Sequence, residues 1–278
     1  MDEVLGAAVA SLLGYLRLGN EVIATDLATF VRNPSWSRVT DANHGSAVRA
    51  ETETDFDRLL GQAEEILGAS AHRAFKVTPG TPPAFEARLL LEGYRFSTDL
   101  EMILDGPLRA APPAVEIRPV VSDSDWDGIR ELKRADLAEG LSVGGHRSAE
   151  VSTQMYESKR AKSPDLTYFL ARAEGKDCAF FSSWPGQNGT GVVEDLFTLP
   201  DYRCRGLATA LICHAVADAR SRGADRILIG ADPDETPKHL YASLGFRPLL
   251  LLRSYWRDVP PAVEASPTNA LSTPARRR

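Results

Sequence analysis

Apolar positions recur at helical spacing over residues 4–18 and again over 54–67, which predicts two amphipathic helices near the start of the chain. Between them, residues 32–49 hold Pro34, Trp36, Asn43, His44 and Gly45 without a sustained period and read as loop-rich. Residues 74–78 predict a strand, 82–91 a short helix and 99–104 a second strand. Prolines and small residues over 107–114 then favour an extended connection. Beyond it, residues 115–120 alternate like a half-buried strand. Ser122-Asp123-Ser124-Asp125 supplies capping side chains for a helix in which Trp126, Ile129, Leu132, Lys133 and Leu137 fall near helical spacing. After a break at 144–148, residues 150–162 predict another helix, and 166–172 and 178–184 suit antiparallel strands joined at Glu174-Gly175-Lys176-Asp177. Residues 192–199 form the next strand, followed by a long helix, a strand over 226–231, a helix over 236–244 and an apolar strand over 248–256. Residues 260–278 carry prolines, small residues and a terminal arginine triplet without an apolar period, so they should be disordered.

Two stretches of this pattern look alike. Strand, short helix, Gly93-Tyr94-Arg95 and an apolar strand in the first half match strand, short helix, Gly245-Phe246-Arg247 and an apolar strand in the second. Duplication of a whole domain is the economical explanation, although strand–helix–strand units are common and the identities few. The expected division is a first domain over 1–106, a linker over 107–114, a second domain over 115–258 and a tail over 259–278.

Composition narrows the function classes. At 278 residues with 43% hydrophobic and 25% charged positions, the chain reads as globular with room for two cores. A formal net charge of −6 argues against broad nucleic-acid binding. No apolar run is long enough to span a membrane, and the acidic start lacks the charge of a secretory signal, so a cytoplasmic protein is expected. Three cysteines without CxxC spacing indicate neither a disulfide framework nor a metal site. Cys204 lies between two arginines near a helix start, which invites a nucleophile reading, but a free thiol without a role is the plainer one.

The segment 195–208 joins an apolar strand to a helix through a turn rich in arginine and glycine, a junction suited to a phosphate. The helix would direct its unpaired N–H groups and positive dipole end at the turn. Gly206 would let the backbone approach the anion, and Arg203 and Arg205 would add charge. Arg203-x-x-Gly206-x-Ala208 resembles the acyl-CoA pyrophosphate loop of the GNAT-type N-acetyltransferases, and Leu240-Tyr241-x-x-x-Gly245-Phe246 is similar to that family's closing segment. The resemblance is specific over about 190–256 and looser over 115–189. It implies an α/β (α+β) fold of two GNAT-like domains, each a mixed, mostly antiparallel sheet flanked by helices. No matching loop occurs between residues 45 and 75, and Leu89 stands at the repeat position of Tyr241, so the first domain is expected to be a degenerate copy.

The resemblance further implies acetyl-CoA as co-substrate and direct attack by a primary amine. The backbone of Phe197, Thr198 and Leu199 would pair with the pantetheine arm, and Arg203, Cys204, Arg205, Gly206, Leu207, Ala208 and Thr209 would surround the pyrophosphate. Tyr241 stands where the family places the acid that protonates the leaving thiolate; otherwise it is a core aromatic. Glu194 and Asp195, at adjacent strand positions, should point to opposite faces. Glu194 is the better candidate for a general base, against the alternative of a solvated or paired carboxylate; His146 and His214 are further candidates. Lys238 stands either near a CoA phosphate or in solvent. The expected partner is a small-molecule or peptide amine, with neither nucleic acid nor membrane, and a homodimer is left open. The rival function is a non-catalytic acyl-CoA-binding or sensing module.

Overall fold

The computed structural model describes residues 3–111, 113–144, 149–163 and 165–259; the expectations for His146 and for the tail from 260 lie outside them. The first half runs α1 (Glu3–Arg17), β1 (Glu21–Ala24), β2 (Thr29–Arg32), β3 (His44–Ser46), α2 (Glu53–Ile66), β4 (His72–Val77), α3 (Pro83–Leu91) and β5 (Arg95–Asp105). The second runs β6 (Glu116–Pro119), α4 (Asp123–Gly144), α5 (Ala149–Arg160), β7 (Thr167–Ala173), β8 (Lys176–Gln187), β9 (Thr190–Thr198), α6 (Leu207–Ser221), β10 (Arg226–Ala231), α7 (Pro237–Leu244) and β11 (Arg247–Asp258). The mixed, mostly antiparallel pairing and flanking helices expected from the sequence are present, but in one continuous sheet rather than one per domain.

The two halves share one sheet, ordered β1-β2-β3-β4-β11-β5-β10-β9-β8-β7-β6. Each half lends its last strand to the other: β5 pairs antiparallel with β10, and β11 pairs antiparallel with β4, while β5 and β11 pair at the centre. Parallel pairing occurs once in each half, β3 with β4 and β9 with β10. The stretch 32–49, expected to be loop-rich, contains the end of β2, two short 3-10 turns and the three-residue strand β3. A strand that short carries no readable alternation.

Alternation along the strands separates the two faces. Met102, Leu104, Val193 and Ile229 join a cluster with Leu211 and Ala215 of α6 and Leu244 of α7. Ile103, Val192 and Leu228 join a cluster on the opposite face with Leu13 and Leu16 of α1, Trp126 of α4 and Tyr156 of α5. Helices α2 and α3 bury Phe56, Leu59, Phe85 and Leu89 against Phe75 and Tyr255. Helix α1 belongs to the first half, yet it lies on the second half's β8 and β9. Ser11 accepts a hydrogen bond from the Gln187 N–H at 2.7 Å. Leu13 and Leu16 are 5% exposed, and each such side chain contributes about 1.5–3 kcal/mol by burial.

The repeat is also visible in detail. Phe246 N–H donates to Tyr241 O at 3.0 Å across left-handed Gly245, and Tyr94 N–H donates to Leu89 O at 3.0 Å across left-handed Gly93. Both helix ends therefore close in the same way, and Leu89 occupies the position corresponding to Tyr241.

Candidate acyl-transfer site

Strands β9 and β10 are paired only from Arg226↔Thr190 to Ile229↔Val193. Beyond Val193 the two strands part, and β9 continues to Thr198 with β8 as its neighbour. The alternation of hydrogen bonding decides which backbone groups face the gap. Leu199 N–H donates to Cys178 O at 2.9 Å, and Phe197 lies opposite Phe180 in the hydrogen-bonded register, so both turn toward β8. Of the three residues expected to pair with pantetheine, Thr198 turns its backbone to the open edge, and its carbonyl accepts from Arg203 Nε at 2.9 Å. Leu196, not singled out in the sequence, shares that direction by the same alternation.

At the end of β9 the chain makes a 3-10 turn over Pro200–Tyr202 and enters α6. Cys204 and Gly206 have φ of 59° and 80°, in the left-handed region. Gly206 is the N-cap and offers no side chain to the first turn, which contains no acidic residue. The first helical hydrogen bond runs from Ala210 N–H to Gly206 O at 3.0 Å, leaving the N–H groups of Leu207, Ala208 and Thr209 ahead of it. The linker approaches from one side, where a Cβ on Gly206 would lie 3.4 Å from Pro113 Cγ.

The arginine side chains each have a carboxylate partner. Arg203 forms a bidentate pair with Glu139 of α4, both contacts at 2.6 Å, and Arg205 pairs with Glu174 at 2.9 Å. Both pairs are solvent-exposed. Lys238 Nζ donates to the carbonyls of Pro233 and Glu235 at 2.6 Å, tying down the turn before α7. Cys204 is exposed. His214 packs edge-on against Phe169 at 4.8 Å within the helical layer, a structural position.

Where β9 and β10 part, carboxylates gather. The register skips a residue between the Phe180 and Ser182 pairings, and Asp195 there takes a φ of 59°. This bulge overturns the expected alternation. Glu194 keeps the face of Val192, and Asp195 also turns to that face, where Lys159 Nζ lies 3.0 Å and Lys133 Nζ 3.4 Å away. Tyr168 donates its hydroxyl to Asp195 at 2.8 Å. Burial would raise the Asp195 carboxyl, but Lys159 and Lys133 outweigh it and hold it well below the usual carboxylate range. Glu194 has no such cation in contact, and burial pushes its carboxyl up to about 7.

Tyr241 lies on the opposite face, 4% exposed, between α7 and the sheet. Burial foremost, and then the charge of Glu194, raises its phenol above the ordinary value.

Glu194 opens onto a cavity of about 270 Å³ lined also by Leu12, Tyr15, Asp41, Lys76, Asp99, Glu101, Lys159 and Gly230. Sequence reasoning missed Asp41, Lys76, Asp99 and Glu101 because all four come from the first half. A wider cavity of about 520 Å³ continues from Asp41, Lys76 and Asp99 toward Trp256. A separate cavity of about 480 Å³, lined by Arg130, Arg134 and Tyr156, contains neither Glu194 nor Tyr241.

A strand pair that opens beside an uncapped helix start is the geometry of an acyl-CoA-binding fold, and the comparisons agree. Residues 126–246 match the Acetyltransferase (GNAT) family model. Over that range the chain carries a GNAT domain. A GCN5-related N-acetyltransferase from Kribbella flavida shares the fold at a TM-score of 0.66 and 16% identity, covering 94% of this chain and 97% of that one. A conserved protein of unknown function from Staphylococcus epidermidis matches at 0.66 and 11% identity, over 86% and 94% of the two chains. A tandem GNAT protein from the clavulanic acid biosynthesis pathway matches at 0.56 and 13% identity, over 87% and 83%. No curated protein matches the sequence. Among the described residues, no helix is long and apolar enough to cross a membrane.

Proposed function

We propose that the chain is an N-acetyltransferase that moves acetyl from acetyl-CoA to a primary amine by direct attack. The observation that carries this reading is the parting of β9 from β10 beside the uncapped start of α6, with Glu194 at the point where the strands separate. The pyrophosphate would meet the N–H groups of Leu207, Ala208 and Thr209 in the turn formed by Arg203, Cys204, Arg205 and Gly206. The pantetheine arm would run along the open edge at Leu196 and Thr198. Residues 115–258 are then the catalytic domain, and residues 1–106 a degenerate copy that forms the acceptor pocket.

In the reaction the acceptor ammonium first gives a proton to Glu194. A carboxyl at about 7 is matched to this task near neutral pH. The nitrogen lone pair attacks the thioester carbonyl, the C–S bond breaks and the departing sulfur takes a proton from the Tyr241 hydroxyl; the proton that the now-cationic nitrogen sheds on becoming an amide returns through solvent to the phenolate. Raising the phenol above its ordinary value keeps it protonated before the step. Asp195, tied to two lysines and Tyr168, holds the bulge that aims Glu194.

The test follows free thiol release from acetyl-CoA with a colorimetric thiol reagent over a panel of primary amines. Release that depends on an amine supports the transferase. Binding of acetyl-CoA without release on any amine would favour a sensing module instead.

A further inference from the structure

Glu101 is an acidic residue at the centre of the sheet, 3% exposed, on the strand that the first half lends to the second. Among the described residues, no side chain or backbone group donates a hydrogen bond to it. Its carboxylate lies over the backbone of Gly230: a Cβ there would be 3.2 and 3.5 Å from its two oxygens. From that position it opens into the 270 Å³ cavity with Asp99 and Glu194. The cations that line the cavity are already engaged. Lys76 Nζ pairs with Asp41 at 2.7 Å and donates to Ser254 at 2.9 Å, and Lys159 pairs with Asp195 at 3.0 Å.

Three carboxyl groups thus converge on one cavity without a cation of their own. A buried acid lacking a donor is costly to keep, and like charges add to the cost. An occupant bringing positive charge and N–H donors would remove it. One ammonium group is not sufficient, because the amine that reacts must become neutral beside Glu194. Strand β10 alone separates β5 from β9, so Glu101 and Glu194 stand roughly 10 Å apart at their Cα atoms, two strand spacings. The Glu101 carboxylate lies over Gly230 and both acids line the same cavity, which suits two nitrogens a short aliphatic chain apart.

Building on the acyl-transfer reading, we propose that Glu101, with Asp99, determines acceptor specificity by binding a second ammonium group of the acceptor while Glu194 receives the amine that reacts. The acceptor class is a short diamine, or an amine bearing a cationic group at similar span. The exchanged strand has a functional consequence in this arrangement, since the second half's acceptor site is completed by the first half.

The test is calorimetric titration of the full chain with 1,4-diaminobutane and with n-butylamine, which requires no turnover. Wild type should bind the diamine at least tenfold more tightly, and Glu101→Gln should erase that preference. Equal binding of the two amines by wild type, or an undiminished preference in Glu101→Gln, would overturn the proposal. If Glu101→Gln fails to fold, Gly230→Ala displaces the carboxylate without altering charge and should weaken diamine binding severalfold; unchanged binding there counts against it. Thiol release measured with the same amines separates the two claims. A diamine preference in binding without thiol release from either amine sinks the transferase and leaves the pocket standing, whereas thiol release with no diamine preference does the reverse.

Discussion

Helices α2 and α6 occupy corresponding places in the two halves, each following the strand that pairs in parallel with the next, yet their first turns are opposites. At α2, the Thr52 hydroxyl accepts from Asp55 N–H at 3.2 Å and the Asp55 carboxylate accepts from Thr52 N–H at 3.3 Å, a closed capping box with Glu53 alongside. At α6, a left-handed glycine takes the cap position and no acid stands in the first turn. The first helix start is satisfied by its own side chains and carries negative charge; the second has neither a side-chain cap nor an acid. The same divergence appears at the following helices, where Leu89 and Tyr241 hold matching positions as core residue and candidate acid. The two halves thus share a fold while differing at a few residues of these helix starts.

The sharpest contrast is the pair Tyr241 and Leu89. Tyr241→Phe should lower turnover by on the order of 10 to 1000-fold at saturating acetyl-CoA while preserving the fold and acetyl-CoA affinity. Leu89→Ala should instead cost about 2–5 kcal/mol of stability, read by denaturant unfolding. Unchanged turnover in Tyr241→Phe would make the two positions alike, both packing residues.

Glu194 provides the next test. With its carboxyl at about 7, kcat/KM should fall about tenfold per pH unit below 7, as protonation removes the base, and level off above. Glu194→Gln should lose that acidic limb along with most of the rate. A limb that persists in the variant would assign it to another group.

Glu101 ties the halves together, and its effect on stability can be read without substrate. Burial, then the charges of Glu194 and Asp99, push its carboxyl up to about 8. Between the ordinary carboxylate range and 8 the folded chain holds a proton that the unfolded chain has lost. The resulting stabilisation is complete at low pH and is lost as pH rises through 8, with a slope of up to about 1.4 kcal/mol per pH unit. Glu101→Gln should flatten this part of the stability profile between pH 5 and 8; an unchanged profile would place the titration elsewhere. The smallest expected effect is at α2, where Thr52→Ala should cost about 1 kcal/mol of stability without creating a CoA site, checked by unfolding and CoA titration.

The parts legible in the sequence are those set by local pattern. The strand–turn–helix around Gly206, the Gly-aromatic helix closures and the two similar halves all depend on residues close together in the chain. The parts that were not legible come from distant pairing. Nothing in residues 95–105 announces that they insert between β10 and β11, so Glu101 could not be linked with Glu194. Its signal was present, however: an acid alternating with Ile103 between Leu100 and Met102 is anomalous in a buried strand. The bulge at Asp195 was hidden for a related reason, since strict alternation assumes one residue per partner. The ion pairs of Arg203 and Arg205 were not legible either, because Glu139 and Glu174 lie elsewhere in the chain.

The most direct test is the stoichiometry of CoA binding, measured by calorimetry on the wild-type chain and on Gly206→Asp. An open α6 and a closed α2 predict one CoA per chain. Gly206→Asp, which forces a side chain into a left-handed position beside Pro113 and brings negative charge to the turn, should abolish binding in a protein that remains folded by circular dichroism. Saturation at two equivalents, or wild-type affinity in folded Gly206→Asp, would contradict the division of labour between the two helix starts.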